Sequence, residues 1–487
     1  MSKRSVAFIS VLLTSCAALP PAKESATSPH SAQPTPTSAR APYSSTYEAR
    51  PSPATLIRGG TILTGSGNRL DGDVLIVNGH IEAVGPNLHA PEGARVIDAK
   101  GRWVTPGIID IHSHLGVYPS PQLKALSDGN ELTSPVTPNV WAEHSIWPQD
   151  PGFETALEGG VTTLEILPGS GNLIGGRSVV VKNVHATTYQ AMKFPGAAQG
   201  LKMACGENPK RVYGSKGQAP STLMGDVAGY RQAFADAQDY KRQWEKYERE
   251  LAEYQKKNAN DKEGSGEKKP PPSPPKRDLK LDTLADVLKG DIRVQMHCYR
   301  ADEMATMLDV ADEFGFKIVA FHHAVEAYKV ADLLAQKNVC AAMWADWWGF
   351  KLEAYDGIQE NIALVDAPAN SCAMLHSDSE DGIQRLNQEA AKAMSRGVRA
   401  GLDIPPERAI RWLTLNPAKA LGIDKQTGVL DAGKNADVVI WNHNPFSVYA
   451  LADEVYIDGN LMFDRAHPPA RPPSDFMLGQ PDTEGTP

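Results

Sequence analysis

The chain has 487 residues and a net charge of −9 at neutral pH. This length exceeds that of one small domain and suffices for a barrel with an accessory domain. The charge is modest, and no Lys/Arg patch is interleaved with aromatic residues, so we do not expect a nucleic-acid partner.

The first sixteen residues have the pattern of an export signal. Lys3 and Arg4 form a basic start, and residues 6–13 are an apolar run too short to cross a bilayer as a helix. The run LTSC that ends at Cys16 resembles a bacterial lipobox, which implies that residues 1–16 are a lipoprotein signal peptide and that Cys16 is acylated. An ordinary secretory signal, cleaved near Ala17, is the alternative.

Low-complexity segments follow the signal and end the chain. Residues 17–54 are rich in Pro, Ser, Thr and Ala without apolar periodicity, which predicts a disordered tether, and residues 466–487 form a Pro-rich tail. Ala17 follows Cys16, which in lipoproteins favours the outer membrane over retention at the inner membrane. We therefore expect a lipoprotein at the periplasmic face of the bacterial outer membrane, or a protein secreted into the periplasm. Its only membrane contact would be the lipid anchor.

Two histidines end a buried apolar run in residues 104–116. A Pro-Gly turn leads into this run, and His112 and His114 stand at positions i and i+2. On a strand, such residues project from the same face. Neutral imidazole is a common ligand of divalent metals, so the pair predicts a metal site at the end of this strand.

Strands and helices alternate through the rest of the central region, residues 105–419. Further strands are predicted at 160–166, 178–183, 200–206 and 339–347. Three more apolar runs end in metal-ligand residue types, at His297, at the pair His322 and His323, and at His376 with Asp378. Alternation of this kind indicates a parallel sheet, and ligands at the ends of several strands indicate an α/β fold, a (β/α)8 TIM-type barrel with its site at that face.

An insertion, residues 226–280, interrupts this repeat between the fourth and fifth strands. Residues 226–258 are a highly charged helical stretch, expected to lie solvated over the barrel. The Pro/Lys/Gly-rich tract that follows cannot bury a core and is predicted to be a flexible loop. Because the insertion leaves the barrel on the face that carries the site, a lid is one role for it and partner binding is another.

Four cysteines follow Cys16: Cys205, Cys298, Cys340 and Cys372. They form no CxxC pair, so a structural zinc ribbon is not expected. We expect them to be small buried hydrophobic residues. An oxidising periplasm also allows disulfides, but the sequence does not pair them.

Six motifs occur in order between Leu56 and Asp464, namely TPGIIDIHSH, GVTTLEILPGSGNLIGG, GLKMACGENPKR, HSDSE, TLNPAKALGI and GKNADVVIWNHNP. Together they resemble the metal-dependent amidohydrolase superfamily, and its imidazolonepropionase-related branch in particular. The resemblance implies that the short predicted strands of residues 55–104 and 420–465 combine into one small β-sandwich beside the barrel.

The resemblance also implies a set of metal ligands. His112 and His114 would hold the more buried metal, and Asp378 would be both a ligand and the general base. A carboxylate suits both roles because it can bind metal through one oxygen and accept a proton on the other. His297 and His323 would be the ligands from the fifth and sixth strands, with His322 as the alternative to His323.

Binuclear members of the superfamily carry a carboxylated lysine that bridges two metals. GLKMACG resembles the segment that supplies it, which makes Lys202 the candidate, with Lys182 as the alternative and Glu207 as a further ligand or substrate contact. Mononuclear members lack this group, so one or two ions remain open. Histidine and carboxylate ligands favour zinc, with iron or manganese as alternatives.

These features predict an enzyme that acts on a small molecule. Metal-activated water would hydrolyse a carbon–nitrogen bond in a cyclic amide, an N-acyl amino acid or a dipeptide. A deaminase of a ring amine is the first alternative. A non-catalytic surface lipoprotein that binds partners through its insertion is the second.

Overall fold

A computed structural model of the chain describes residues 43–120, 124–260 and 270–468. The predicted signal peptide, residues 17–42 of the predicted tether and the predicted tail from residue 469 onward lie outside the described residues, and these assignments stay predictions. No helix within the described ranges is both long enough and apolar enough to cross a membrane.

The strands of the described residues belong to three sheets. In chain order they are β1 (Thr55–Leu63), β2 (Arg69–Val77), β3 (His80–Gly85), β4 (Arg95–Asp98), β5 (Trp103–Pro106), β6 (Ile108–Ser113), β7 (Val161–Ile166), β8 (Ile174–Arg177), β9 (Val179–Lys182), β10 (Gly200–Ala204), β11 (Arg293–Cys298), β12 (Ile318–His323), β13 (Cys340–Met343), β14 (Ala373–Leu375), β15 (Val438–Trp441), β16 (Ala452–Ile457) and β17 (Asn460–Asp464).

Helices separate most of the central strands, which confirms the α/β class. In chain order they are α1 (Gly152–Glu158), α2 (Glu207–Gly214), α3 (Leu223–Asn260), α4 (Leu279–Lys289), α5 (Ala301–Phe314), α6 (Ala331–Lys337), α7 (Asn361–Asp366), α8 (Leu386–Arg399), α9 (Pro406–Ala409) and α10 (Leu415–Leu421). Gly315 follows the last residue of α5 and adopts a left-handed conformation with φ of +74°, which ends the helix.

The two ends of the folded region share one eight-stranded sheet, in the order β17-β16-β15-β5-β1-β2-β3 with β4 beside β1. Strand β5 pairs antiparallel with β15, and this pairing joins the early and late segments. Ile57, Val74 and Ile440 are among the side chains fully buried against this sheet. These strands are hydrogen-bonded to one another in a single sheet, so the two-layered sandwich stays a prediction.

The third central strand differs from the prediction. A parallel strand was expected over residues 178–183, but residues 174–182 form β8 and β9, which run antiparallel to their neighbours β10 and β7. Only seven residues separate β7 from β8, and a parallel crossover needs about a dozen or more. The (β/α)8 repeat is therefore interrupted here, and the strand pairings of the described residues do not close into a barrel.

The remaining central strands follow the predicted order. Strands β10 to β14 are parallel neighbours in sequence order, and β6 is parallel to β7. Beyond the end of β14, the backbone N–H of Asp378 donates to the carbonyl of His112, at 3.1 Å. The carboxyl ends of β6, β10, β11, β12 and β14 therefore meet in one region, which is the region of the site.

Helix α3 contains most of the described part of the insertion, and its first half is packed rather than solvated. In α3, Tyr230 and Phe234 are fully buried, and the ring of Phe234 stacks on that of Phe316 at 4.1 Å. Further along, the hydroxyl of Tyr240 donates to Asp282 at 2.7 Å. From residue 248 to residue 258 most positions are exposed. The predicted flexible loop includes residues 261–269, which lie outside the described residues.

Residues 43–54 were predicted to belong to the tether, but they contact the folded region. Ser45 Oγ donates to the carbonyl of Lys193 at 2.7 Å, and the N–H of Thr46 donates to that of Gln190 at 3.0 Å. The amide of Asn460 donates to the carbonyl of Arg50 at 2.9 Å. These bonds fix this segment locally, so the expected disorder does not extend to it.

The four cysteines form two disulfides, the alternative that the sequence left open beside small buried hydrophobic residues. Cys205 bonds to Cys298 and Cys340 bonds to Cys372. Each bond joins the ends of two neighbouring parallel strands, β10 with β11 and β13 with β14. The pairing depends on the order of strands in the sheet, which the spacing of cysteines in the sequence does not contain.

Candidate metal centre

His112 and His114 project from the end of β6, and their Nε2 atoms lie 3.3 Å apart. The Nδ1 of His114 donates to the carbonyl of Leu167 at 2.8 Å, which leaves its Nε2 with a free lone pair. His112 is fully buried, and its Nδ1 lies 2.9 Å from the Nδ1 of His322. Both side chains therefore present an unprotonated Nε2 to the same point.

His322 fixes the tautomer of His112 through a relay of hydrogen bonds. The Nε2 of His322 lies 2.8 Å from the amide oxygen of Gln295, so it is a donor. Its Nδ1 is then an acceptor for the Nδ1–H of His112. Hydrogen bonds to the far side of a histidine ring orient metal ligands in this way. The structure therefore places His322 behind His112, and it places His323 in the cluster.

Asp378 follows β14 and completes this group. Its Oδ1 lies 3.2 Å from the Nε2 of His114 and 3.5 Å from that of His112, and its Oδ2 lies 3.7 Å from the Nδ1 of His323. Burial raises the pKa of its carboxyl, but the nearby His114, His376 and Lys202 outweigh burial and hold that pKa below its usual value. Asp378 is therefore a carboxylate at neutral pH.

Two residues of the cluster have strained backbones. The φ angle is +68° at His323 and +49° at Asp378, in the left-handed region that side chains other than glycine seldom adopt. Such strain persists where the surrounding structure imposes it, and it is concentrated at functional sites. At His323 it also breaks the regular alternation of the strand, so His322 and His323 both contact the ring of His112, each at 4.8 Å between centroids.

His297, His323 and His376 form the other side of the cluster. The ring centroids of His297 and His323 lie 4.5 Å apart, and those of His323 and His376 lie 5.0 Å apart. Burial and the neighbouring positive groups hold the pKa of His297 and His323 well below the ordinary value, so both are neutral and able to bind metal.

Several of these buried ring nitrogens have no hydrogen-bond partner among the described residues. They are the Nδ1 atoms of His297 and His323 and both nitrogens of His376. Buried polar atoms without partners are costly, and a bound ion is one common explanation for them. The role of His376 was not assigned from the sequence, although it stands at i−2 from Asp378 as His112 does from His114.

The donor atoms fit a divalent metal. Ligands about 2.1 Å from a zinc ion in a tetrahedral arrangement lie about 3.4 Å from one another. The three distances among His112 Nε2, His114 Nε2 and Asp378 Oδ1 are 3.3, 3.2 and 3.5 Å. This set of residues could hold a metal, and His112, His323 and His376 form a second group of closely spaced donors.

The two candidate lysines lie in different surroundings. Lys202, on β10, is fully buried, and its Nζ lies 3.3 Å from the Nε2 of His112 and 3.2 Å from the carbonyl of Pro168. Burial lowers the pKa of its amine to about 8, against the opposing effect of Asp378. Lys182 instead lies 2.8 Å from Asp458 and 3.7 Å from Asp437 in a buried ion-pair network. Only Lys202 of the two is next to the histidines.

We expect Lys182→Met to be destabilising without affecting metal content. The change leaves Asp458 and Asp437 buried without their cation, which costs about 3–5 kcal/mol of unfolding free energy. Urea unfolding measures it, with Lys337→Met as the control. Lys337 pairs with Asp312 on the surface, where the side chains are 38% and 63% exposed, so its loss costs about 1 kcal/mol or less. Equal losses of unfolding free energy in the two variants would contradict the assignment of Lys182 to a buried ion-pair network.

Glu207, a further predicted contact, lies outside the histidine cluster. It begins α2, and its carboxylate is 3.7 Å from the Nζ of Lys351. Asn208, the next residue, has its amide nitrogen 3.4 Å from the Nε2 of His297. Asn208 therefore contacts the cluster, whereas Glu207, the residue before it at the start of α2, contacts Lys351 instead.

Comparison with known proteins identifies the family of the chain. The amidohydrolase family model matches residues 103–462. The chain is 33% identical over 409 residues to "Amidohydrolase tasK" of Hapsidospora irregularis, a match that covers 81% of this chain but only 40% of that protein. It is 24% identical to the "5-methylthioadenosine/S-adenosylhomocysteine deaminase" of Pelotomaculum thermopropionicum, covering 79% of this chain and 84% of that protein.

A solved structure has the same overall fold. The amidohydrolase from Thermotoga maritima MSB8 superposes with a TM-score of 0.72 and 36% sequence identity, covering 84% of this chain and all of that chain. The family model, this structure and the ordered motifs agree over most of the described residues. The chain belongs to the amidohydrolase family.

Proposed function

We propose that this protein is a metal-dependent hydrolase that cleaves a carbon–nitrogen bond of an amide-like group. The observation that carries the proposal is the position of Asp378, a partly buried carboxylate within 3.5 Å of the Nε2 atoms of His112 and His114. A divalent metal held there would lower the pKa of bound water towards about 7 and polarise the substrate carbonyl.

His112, His114 and Asp378 would hold the first ion, which we propose to be zinc, with iron or manganese as alternatives. Lys202, His297 and His323 would hold a second. Lys202 would do so as a carbamate, because the neutral form of its amine can add carbon dioxide and release a proton to become an extended carboxylate. His376 adds a further neutral imidazole beside His323.

Asp378 would move the proton. Its Oδ2 faces His323 at 3.7 Å, while its Oδ1 faces His112 and His114. One carboxylate oxygen can therefore bind while the other accepts the proton of the attacking water. Water adds to the carbonyl carbon, the carbon–nitrogen bond breaks, and the proton held by Asp378 passes to the leaving nitrogen.

We propose a cyclic amide, an N-acyl amino acid or a dipeptide as substrate. The ordered motifs also support an origin in the imidazolonepropionase-related branch. A deaminase of a ring amine is the second candidate, favoured by the similarity to a 5-methylthioadenosine/S-adenosylhomocysteine deaminase over 79% of the chain. In that reaction the same proton would pass to the departing amino group, which leaves as ammonia.

A substrate panel tests the proposal. Purified protein is assayed with zinc, manganese or iron on cyclic amides, N-acetyl amino acids, dipeptides and aminopurines, with detection of new amine or ammonia. We expect amine release from at least one amide class, its loss on dialysis against a chelator and its return with metal. Ammonia from the aminopurines alone would identify the deaminase instead. Turnover that survives complete metal removal would contradict the proposal.

A further inference from the structure

Four aromatic side chains form a continuous surface beside the candidate site, which we call the aromatic wall: Tyr299, Trp344, Trp347 and Phe350. The ring of Trp344 stacks on the imidazole of His323 with centroids 4.3 Å apart, and Trp347 stacks on Trp344 at 5.1 Å. Tyr299 also stacks on His323 at 5.3 Å, and its ring centroid lies 5.9 Å from that of Trp344. Phe350 lies 5.9 Å from Trp344 and 6.3 Å from Tyr299.

The wall runs from the buried site to the surface. Trp344 is 8% exposed and Tyr299 is 4% exposed, whereas Trp347 is 42% and Phe350 is 57% exposed. A small cavity lined by His323, Trp344 and Trp347 lies at its base. Grouped exposed aromatic side chains are unusual on a soluble protein and mark binding surfaces. Here they are continuous with a predicted metal ligand.

The wall is held in place by polar contacts. The Nζ of Lys351 lies 3.9 Å above the ring of Tyr299, 3.3 Å from a carboxylate oxygen of Glu353 and 3.4 Å from the amide oxygen of Asn208. The indole N–H of Trp344 donates to the carbonyl of Ser377 at 3.2 Å. The position of Trp344 is therefore fixed relative to Asp378, which follows Ser377 in the chain. A ring that is already fixed loses less conformational entropy when a ligand binds.

We propose that the substrate carries an aromatic or large apolar side chain, and that this side chain packs on the aromatic wall while the scissile bond lies at Asp378. This inference rests on the proposed function. A ligand group at this place would contact Trp347 and Phe350, the members that are not covered by protein. Stacked aromatic contacts of this type add to the gain from burying apolar area.

Matched substrates test the proposal by turnover. The pairs are N-acetyl-L-phenylalanine with N-acetyl-L-alanine, and Ala-Phe and Phe-Ala with Ala-Ala. We expect kcat/KM about tenfold or more higher for a phenylalanine compound, the size of effect that apolar pocket contacts produce. The double variant Trp347→Ala/Phe350→Ala should bring this ratio close to one. Tyr449→Ala, which removes a 78% exposed aromatic residue outside the wall, should retain the full ratio.

Binding to Asp378→Asn separates this inference from the proposed function. Calorimetry with the same compounds should show about tenfold tighter binding of a phenylalanine compound than of its alanine partner. That preference should be lost when Trp347→Ala/Phe350→Ala is added, with thermal denaturation to verify folding. If the binding preference is found but the wild type hydrolyses none of the compounds, the aromatic wall binds as inferred and the proposed hydrolysis of these compounds is wrong. Equal binding of phenylalanine and alanine compounds, or a preference that survives the double change, overturns the inference.

Discussion

Replacement of Asp378 by asparagine is expected to lower kcat about a thousandfold on whichever amide the wild type hydrolyses. General base catalysis contributes about 10²–10⁴ to rates, and an amide cannot accept the proton. Asparagine preserves the shape of the side chain. It also tolerates the left-handed backbone of this position, where φ is +49°, so the fold should be unaffected.

Steady-state kinetics and thermal denaturation together check this expectation. Asp381→Asn is the matched control, because Asp381 is exposed on the same loop three residues further on. We expect the control to retain the wild-type kcat and both variants to retain the wild-type melting temperature. If Asp378→Asn kept more than about a tenth of the wild-type kcat, far above the loss that removal of a base causes, Asp378 would not be the base.

The second large effect is expected at Lys202. Its Nζ is fully buried 3.3 Å from a nitrogen of His112, so a charged ammonium group there would repel a metal ion. As a carbamate the same side chain would attract one. We expect about two metals per chain in the wild type and about one or fewer in Lys202→Ala. Turnover should fall about a hundredfold or more, since removal of groups around metal sites has effects of this order.

Elemental analysis after dialysis measures this ratio. Lys182→Met is the control, because it removes a lysine that the sequence could not distinguish from Lys202 but that the structure pairs with Asp458. Its metal content should equal that of the wild type. One metal per chain in both the wild type and Lys202→Ala would exclude the lysine bridge and indicate a mononuclear site.

The sequence predicted where the candidate metal ligands lie close together, because this prediction needs only local rules. Residues at i and i+2 share a face of a strand, which placed His112 and His114 together. Parallel strands end at one edge, which brought His297, His323 and Asp378 to the same region. His376 could have been included by the same i and i+2 rule applied to Asp378.

What the sequence could not predict depends on contacts between distant segments. The pairing of Cys205 with Cys298 follows from β10 lying beside β11. Lys202 and Lys182 are distinguished by their contacts in the fold. Lys182, on β9, pairs with Asp458, which lies between β16 and β17. The antiparallel course of β8 and β9, in contrast, was readable in principle, since the predicted strands at 160–166 and 178–183 leave only eleven residues between them, and a parallel crossover needs about a dozen or more.

The proposed reaction requires His112, His114 and Asp378 to bind one ion, and anomalous diffraction can locate that ion. Crystals of the full chain grown with zinc would be measured on both sides of the zinc absorption edge. We predict an anomalous peak about 2.0–2.1 Å from the Nε2 atoms of His112 and His114 and about 2.0–2.2 Å from an oxygen of Asp378. The contrary result is a map from zinc-replete crystals in which these side chains are ordered but no anomalous peak lies within bonding distance of them. That result would show that the three residues do not bind one ion.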